Sequence, residues 1–178
     1  TNFWYMSDTR NYISYWHLKK YGQDFFESMC DVIDIDPKLI MENDHCAGGA
    51  QTVLKGVNAD FWIDVEKYST KLFKFIKQYK QNNKILDSRK LQEWCADMWT
   101  LLWLAWKNGH KTKIIKELDF CWPMDHISKW YSTKILHYSG FGKNDIDQIF
   151  IKTNYRLSSP YYVDFSKLDK EKCSSIYT

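Results

Sequence analysis

The acid most able to do chemistry is Asp97, in the stretch Leu91-Gln92-Glu93-Trp94-Cys95-Ala96-Asp97-Met98-Trp99. It is the one acid inside a Trp-lined, apolar segment with helical spacing. Burying a carboxylate there is costly unless it is paired or its pKa is raised. A carboxyl group tuned in that way is a candidate general base. The bland reading is equally open: Asp97 faces a neighbouring lysine or caps a helix turn. Trp94 is a candidate binding residue beside it. Trp99, Trp103 and Trp106 recur at spacings of four and three and read as core.

Four further groups bear on chemistry. In His45-Cys46-Ala47-Gly48-Gly49-Ala50-Gln51, adjacent glycines let backbone approach a ligand, and Ala50 keeps the wall low. Gln51 offers both donor and acceptor to a sugar hydroxyl. The alternative is a flexible turn before a helix. In Phe120-Cys121-Trp122-Pro123-Met124-Asp125-His126, Trp122 can stack on a sugar and Asp125 can bind hydroxyls. A Pro turn with Asp125 capping a short helix explains the same residues. Ile135-Leu136-His137-Tyr138-Ser139-Gly140 puts a histidine at the end of an expected strand, where a neutral imidazole can ligate Mn²⁺. Gly140 can let backbone lie near a diphosphate. A buried, satisfied histidine is the structural alternative. Asp34-Ile35-Asp36 places two acids at i and i+2 of an extended segment, a weak divalent-cation motif.

These residues need elements to hold them. Seven glycines and three prolines are few punctuators, so long helices are expected. Helical periodicity covers 8–31, opened by Asp8 and broken near Gly22. It returns over 59–80, with Phe61, Trp62, Val65, Tyr68, Leu72, Phe73, Phe75, Ile76 and Tyr79 on one broad face, and over 88–108, capped by Ser88 and stopped at Asn108-Gly109. Short strands are expected at 37–41, 112–120, 134–138 and 148–152, and a short helix at 126–131. The tail from Pro160 is polar and reads as loosely held. The fold class is α/β: a small mixed sheet flanked by long helices, helix-rich overall. With so few strands, the chain reads as the C-terminal half of a larger α/β domain.

Composition removes whole classes of function. Nine Trp, twelve Tyr and ten Phe in 178 residues supply a large core and exclude general disorder. A formal charge of +3 is near balance, and only Arg10, Arg89 and Arg156 are arginines, which argues against nucleic-acid reading. No apolar run approaches the ~20 residues of a membrane span, and the polar Thr1-Asn2 start leads into core-like sequence rather than a signal peptide. Five cysteines, odd in number and without CxxC, argue against zinc and against a disulfide framework, and point to a reducing cytoplasm.

Taken in order, Trp4-Tyr5-Met6-Ser7-Asp8-Thr9 with Tyr12-Ile13, Gly48-Gly49-Ala50-Gln51, Trp94-Cys95-Ala96-Asp97-Met98-Trp99, the segment from Phe120-Cys121-Trp122 to Trp130, and Ile135-Leu136-His137 with Gly140 resemble a family of GT-A-fold glycosyltransferases of bacteria and large DNA viruses or phages. The resemblance spans most of 4–140. It implies residues 1–159 as the C-terminal part of a GT-A domain and 160–178 as a tail. It implies a nucleotide-sugar donor, a glycan or other hydroxyl acceptor, a divalent Mn²⁺ or Mg²⁺ ion, and a cytoplasmic setting (the host's, if viral). On it, Asp97 matches the catalytic base of inverting members, near a helix start. Gly48 to Gln51 match the loop lining donor sugar and acceptor, and His137 matches the histidine completing the metal and diphosphate site. The family's nucleotide-binding half, with its DxD after a hydrophobic strand, has no counterpart in this sequence. The other class the sequence allows is a non-catalytic module binding a protein or glycan through exposed aromatics.

Overall fold

The computed structural model describes residues 3–87, 90–139 and 149–178. They form two compact units, one ending at Leu118 and the other beginning at Asp119. The class is α/β: rich in helix, with a small mixed sheet.

In the first unit, β1 (Phe3–Ser7) is the central strand, flanked by β2 (Gly49–Val53) antiparallel and β3 (Lys111–Ile114) parallel. Side chains alternate along it: Trp4 and Met6 are fully buried, while Tyr5 faces solvent. No strand is expected at 3–7 from the sequence. Its aromatic run is too short for periodicity to separate strand from helix.

The helices explain most remaining differences. The stretch 8–31 divides into α1 (Arg10–Ile13), α2 (Tyr15–Leu18), a 3₁₀ turn and α3 (Gln23–Ile33), with the break at Gly22 as expected. Gly22 has φ +102°, open to glycine and costly for other residues. Thr9 takes the cap position of α1, but the Asp8 carboxylate still accepts from the Arg10 N–H at 3.2 Å as well as from Arg10 Nε at 2.9 Å, and the adjacent guanidinium holds its pKa below the usual carboxylate value. Residues 37–41 are not a strand but belong to α4 (Pro37–Asn43). Asp36 caps it by accepting from the Lys38 N–H at 2.9 Å, and Pro37 occupies the first turn, where its missing N–H is harmless. Asp34 closes α3 in the left-handed region and pairs with Lys107 Nζ at 2.9 Å. The two acids of Asp34-Ile35-Asp36 therefore end one helix and start another, rather than lying at i and i+2 of an extended segment.

Helix α5 (Ala59–Asn82) matches its expected span, capped by Asn58 accepting from the Phe61 N–H at 3.0 Å. Helix α6 runs only Ala96–Lys107. Ser88 lies outside the described residues, Gln92 is extended, and a 3₁₀ turn at Glu93–Cys95 leads into the helix. The apolar period carries on upstream because Leu91 is buried from a turn. Trp99, Trp103 and Trp106 are core, at 0%, 1% and 3% exposure, packed with Trp4, Phe26 and Met29. Their donors are satisfied where the structure shows partners: Trp99 Nε1–H donates to the Ile13 carbonyl at 2.9 Å and Trp106 Nε1–H to Thr112 Oγ1 at 2.9 Å. No helix among the described residues is long and apolar enough to cross a membrane.

In the second unit, the strand expected at 134–138 shortens to one bridge, Cys121 to Leu136. That expected at 148–152 is replaced by a 3₁₀ turn at Lys152–Tyr155, with Gln148 outside the described residues. Helix α7 (Ile127–Thr133) stands where a short helix is expected. The end of the tail is anchored: Cys173 N–H donates to the Asp125 carbonyl at 2.8 Å, Ser174 N–H to the Pro123 carbonyl at 3.0 Å, and both residues are buried. Residues 160–178 cluster with the unit beginning at Asp119.

Replacing Trp99 by Phe deletes a buried donor and part of a core side chain. Chemical denaturation is expected to show a loss of about 1–3 kcal/mol.

Candidate functional site

The site grows from the edge of the sheet. Between Met6 and Ser7 the β1–β2 register slips: Met6 faces Thr52, but Ser7 faces Gly49. The two extra residues, Ala50 and Gln51, sit on β2, where Ala50 has φ +59°, a left-handed conformation that costs a residue with a Cβ of order 1 kcal/mol. The fully buried Ser7 hydroxyl holds the bulge. It donates to the Gly49 carbonyl and accepts from the Gln51 N–H at 3.1 Å.

The adjacent glycines do a different job from the one expected. Both are buried. A Cβ on Gly48 would stand 2.6 Å from the Ser7 carbonyl oxygen and 2.9 Å from Met6 Cβ, and would strike Ile114. A Cβ on Gly49 would stand 2.9 Å from Met98 Cε and 3.3 Å from Ile13 Cδ1. The close approach that requires glycine is thus to the protein's own sheet and to α6. The turn expected over 42–51 is the end of α4, a 3₁₀ turn at Asp44–Cys46 and the start of β2.

Beside the bulge is a cavity of about 290 Å³, lined by Met6, Gly48, Gly49, Ala50, Thr52, Trp62, Val65, Asp97, Met98, Leu101 and Leu102. It brings together Gly48, Gly49, Ala50 and Asp97 from separate candidate groups. Gln51 is half-buried on β2 and is not among the lining residues. The expectation of a buried Asp97 is corrected. It is exposed on the first turn of α6, where an acid is favoured, and its Oδ1 accepts from the Met98 N–H at 2.8 Å. A second cavity of about 270 Å³ also includes Asp97, with Trp94, Ala96, Ser69, Thr70, Phe73 and Lys74. Asp97 is therefore a wall common to both.

No family model matches the chain, and no solved structure matches it. A protein of Borreliella burgdorferi, described as uncharacterized, is 30% identical over 94 residues. That match takes in 51% of this chain and 19% of the relative, so the chain spans about a fifth of that protein's length. The description carries no activity to this chain.

The second unit holds the remaining candidates. His137, Phe120 and Trp122 meet ring to ring, with Trp122 edge-on to His137 at 4.9 Å and Phe120 to His137 at 4.9 Å. Burial, then the charge of Lys152, lowers the His137 pKa and favours the neutral imidazole. Asp125 closes the Pro123 turn. Its Oδ2 accepts from the Trp122 N–H at 2.9 Å and pairs with Lys129 at 2.8 Å, while His126, not Asp125, caps α7. Gly140 lies outside the described residues. Among the described residues no three His, Cys, Asp or Glu side chains converge as a metal site. His137 brings one imidazole among aromatic rings, so the described residues of this unit do not by themselves complete the donor set of a divalent ion.

Sequence reasoning misses Ser7 and Trp62. Ser7 carries no periodic signal. Trp62 falls within the broad apolar face of α5, yet Phe61, Leu72 and Ile76 take the core while Trp62 and Phe73 stay 46% and 39% exposed.

Gly48→Ala is expected to cost at least about 1–3 kcal/mol in denaturant melts, because backbone and a packed isoleucine stand where the methyl would go. Ala50→Gly is expected to be neutral or to stabilise by up to about 1 kcal/mol, since it removes left-handed strain.

Proposed function

We propose that the chain is part of a metal-dependent glycosyltransferase, moving a sugar from a nucleotide-sugar donor to a hydroxyl acceptor. The observation that carries this reading is the placement of Asp97: an accessible carboxylate on the wall shared by two cavities, each with an exposed tryptophan. A base between two sugar-sized sites is what transfer with inversion requires. The acceptor oxygen bonds to the anomeric carbon, the bond from that carbon to the diphosphate oxygen breaks, and the acceptor proton passes to the Asp97 carboxylate. Gly48, Gly49 and Ala50 form the low wall against which the transferred sugar rests.

The reading includes a Mn²⁺ or Mg²⁺ ion, which when bound supplies positive charge to the departing diphosphate. His137 is the candidate ligand that the second unit offers to such an ion. In the second unit, Trp122 and Asp125 are proposed as sugar contacts, Asp125 also accepting from the Trp122 N–H and from Lys129 Nζ. A cytoplasmic setting accords with the five free cysteines.

In the full-length protein, Asp97→Asn is expected to lower transfer about 10²–10⁴-fold with the thermal midpoint unchanged. Normal turnover by that variant refutes the assignment. A nucleoside diphosphate with Mn²⁺ is expected to raise the midpoint. No rise favours a non-catalytic protein- or glycan-binding module, the reading to which the 68%-exposed Trp16 on α2 lends weight.

A further inference from the structure

The cavity on the far side of Asp97 from the bulge is built unlike the first. The Trp94 indole is 54% exposed and Phe73 is 39% exposed, and Ser69 and Thr70 line the same space. The lining of the two cavities runs along one stripe of α5. Trp62, Val65, Ser69 and Phe73 follow at spacings of three and four, so they share a face. From Trp62 to Phe73 this stripe extends about 16 Å at 1.5 Å per residue, longer than one pyranose ring. Asp97, at the start of α6, touches the space at both ends.

Flat aromatic faces left in solvent, hydroxyls at their edge and a carboxylate within the same wall fit one class of ligand well. A pyranose has apolar C–H faces that stack on rings and a rim of hydroxyls that needs donors and acceptors. A phosphorylated ligand fits less well, because Lys74 is the one cation among the described residues of that lining. A purely aliphatic ligand would make no use of this polar edge, where Ser69 Oγ donates to the Glu66 carbonyl at 3.1 Å and Asp97 Oδ1 accepts from the Met98 N–H at 2.8 Å.

We propose that the Trp94–Phe73 cavity is the acceptor subsite and that the acceptor is a saccharide, its sugar ring stacked on Trp94 with the reacting hydroxyl directed at Asp97. This rests on the glycosyltransferase reading for the role of the site, and adds the chemical class of the acceptor. Trp94 then sets acceptor affinity, and the bulge-side cavity takes the transferred sugar.

The test uses the chain Thr1–Thr178 labelled with 5-fluorotryptophan, its Trp94 signal assigned by loss in Trp94→Phe. Methyl glycosides of glucose, galactose, mannose and N-acetylglucosamine, in both anomers, are titrated to about 100 mM, a range that detects millimolar affinity. The expected result is a saturable shift of the Trp94 signal with at least one glycoside while the Trp16 signal stays still. A Trp94 signal unmoved by every glycoside overturns the subsite. In the full-length protein, Trp94→Ala is expected to raise the acceptor KM at least about tenfold with kcat and donor KM little changed, the pattern of lost acceptor binding. An unchanged acceptor KM also overturns it. The two readings fail separately. A Trp94 shift together with normal turnover by Asp97→Asn keeps the saccharide site and removes the catalytic assignment. A silent Trp94 together with an inactive Asp97→Asn does the reverse.

Discussion

The constraint on which the site depends is the close seating of β2 against β1. Gly48 passes so near Ser7, Met6 and Ile114 that no side chain fits, and the Ser7 hydroxyl clamps Gly49 and Gln51 of β2 through one donated and one accepted hydrogen bond. Backbone this tightly held has few ways to absorb two extra residues. The bulge is the consequence, and Ala50 bears it in a left-handed conformation. The surrounding packing has to offset that strain. What results is a wall with almost no side chains, beside which a cavity remains open.

The other wall depends on a different interaction. Helix α6 is anchored by indoles rather than by small apolar residues. Trp99 hydrogen-bonds to the carbonyl that ends α1, and Trp106 reaches Thr112 on β3. Thr112 in turn donates to the Cys46 carbonyl at 3.0 Å, just before the glycine pair. The helix that presents Asp97 is therefore tied to the sheet near the bulge as well as packed on the core. Rigid support of this kind is what a positioned carboxylate needs. It also explains an exposed acid at the start of so apolar a helix: three buried tryptophans hold the helix, and its first turn is left at the surface.

Some of this is legible without coordinates. Trp99, Trp103 and Trp106 recur with the helical period, and that period can be satisfied only by a buried stripe. The span of α5 follows from the apolar residues that recur on one face over 59–80. The glycine pair signals close approach, but not what approaches. Either a ligand or the protein's own strand would select the same residues, and it is the strand that lies within 3 Å of the missing Cβ. The boundaries misread were those where one residue type serves two structures. Asp36-Pro37 opens a helix as readily as it precedes a strand, and Leu91 continues the apolar period of α6 from outside the helix. The tail offered little pattern, because it is fixed by backbone hydrogen bonds to residues far away in sequence.

The sequence by itself determined the class of the fold, the core tryptophans and the length of the longest helix, because periodicity, capping and burial of aromatics are local properties read along the chain. Only the tertiary structure decided that β1 lies at the centre of the sheet, that Ser7 and Trp62 join the site, and that Asp97 stands in the open between two cavities. Those facts depend on strand register and on which side of each helix meets a neighbour. Register is set by contacts between residues more than forty positions apart, and no local pattern encodes it.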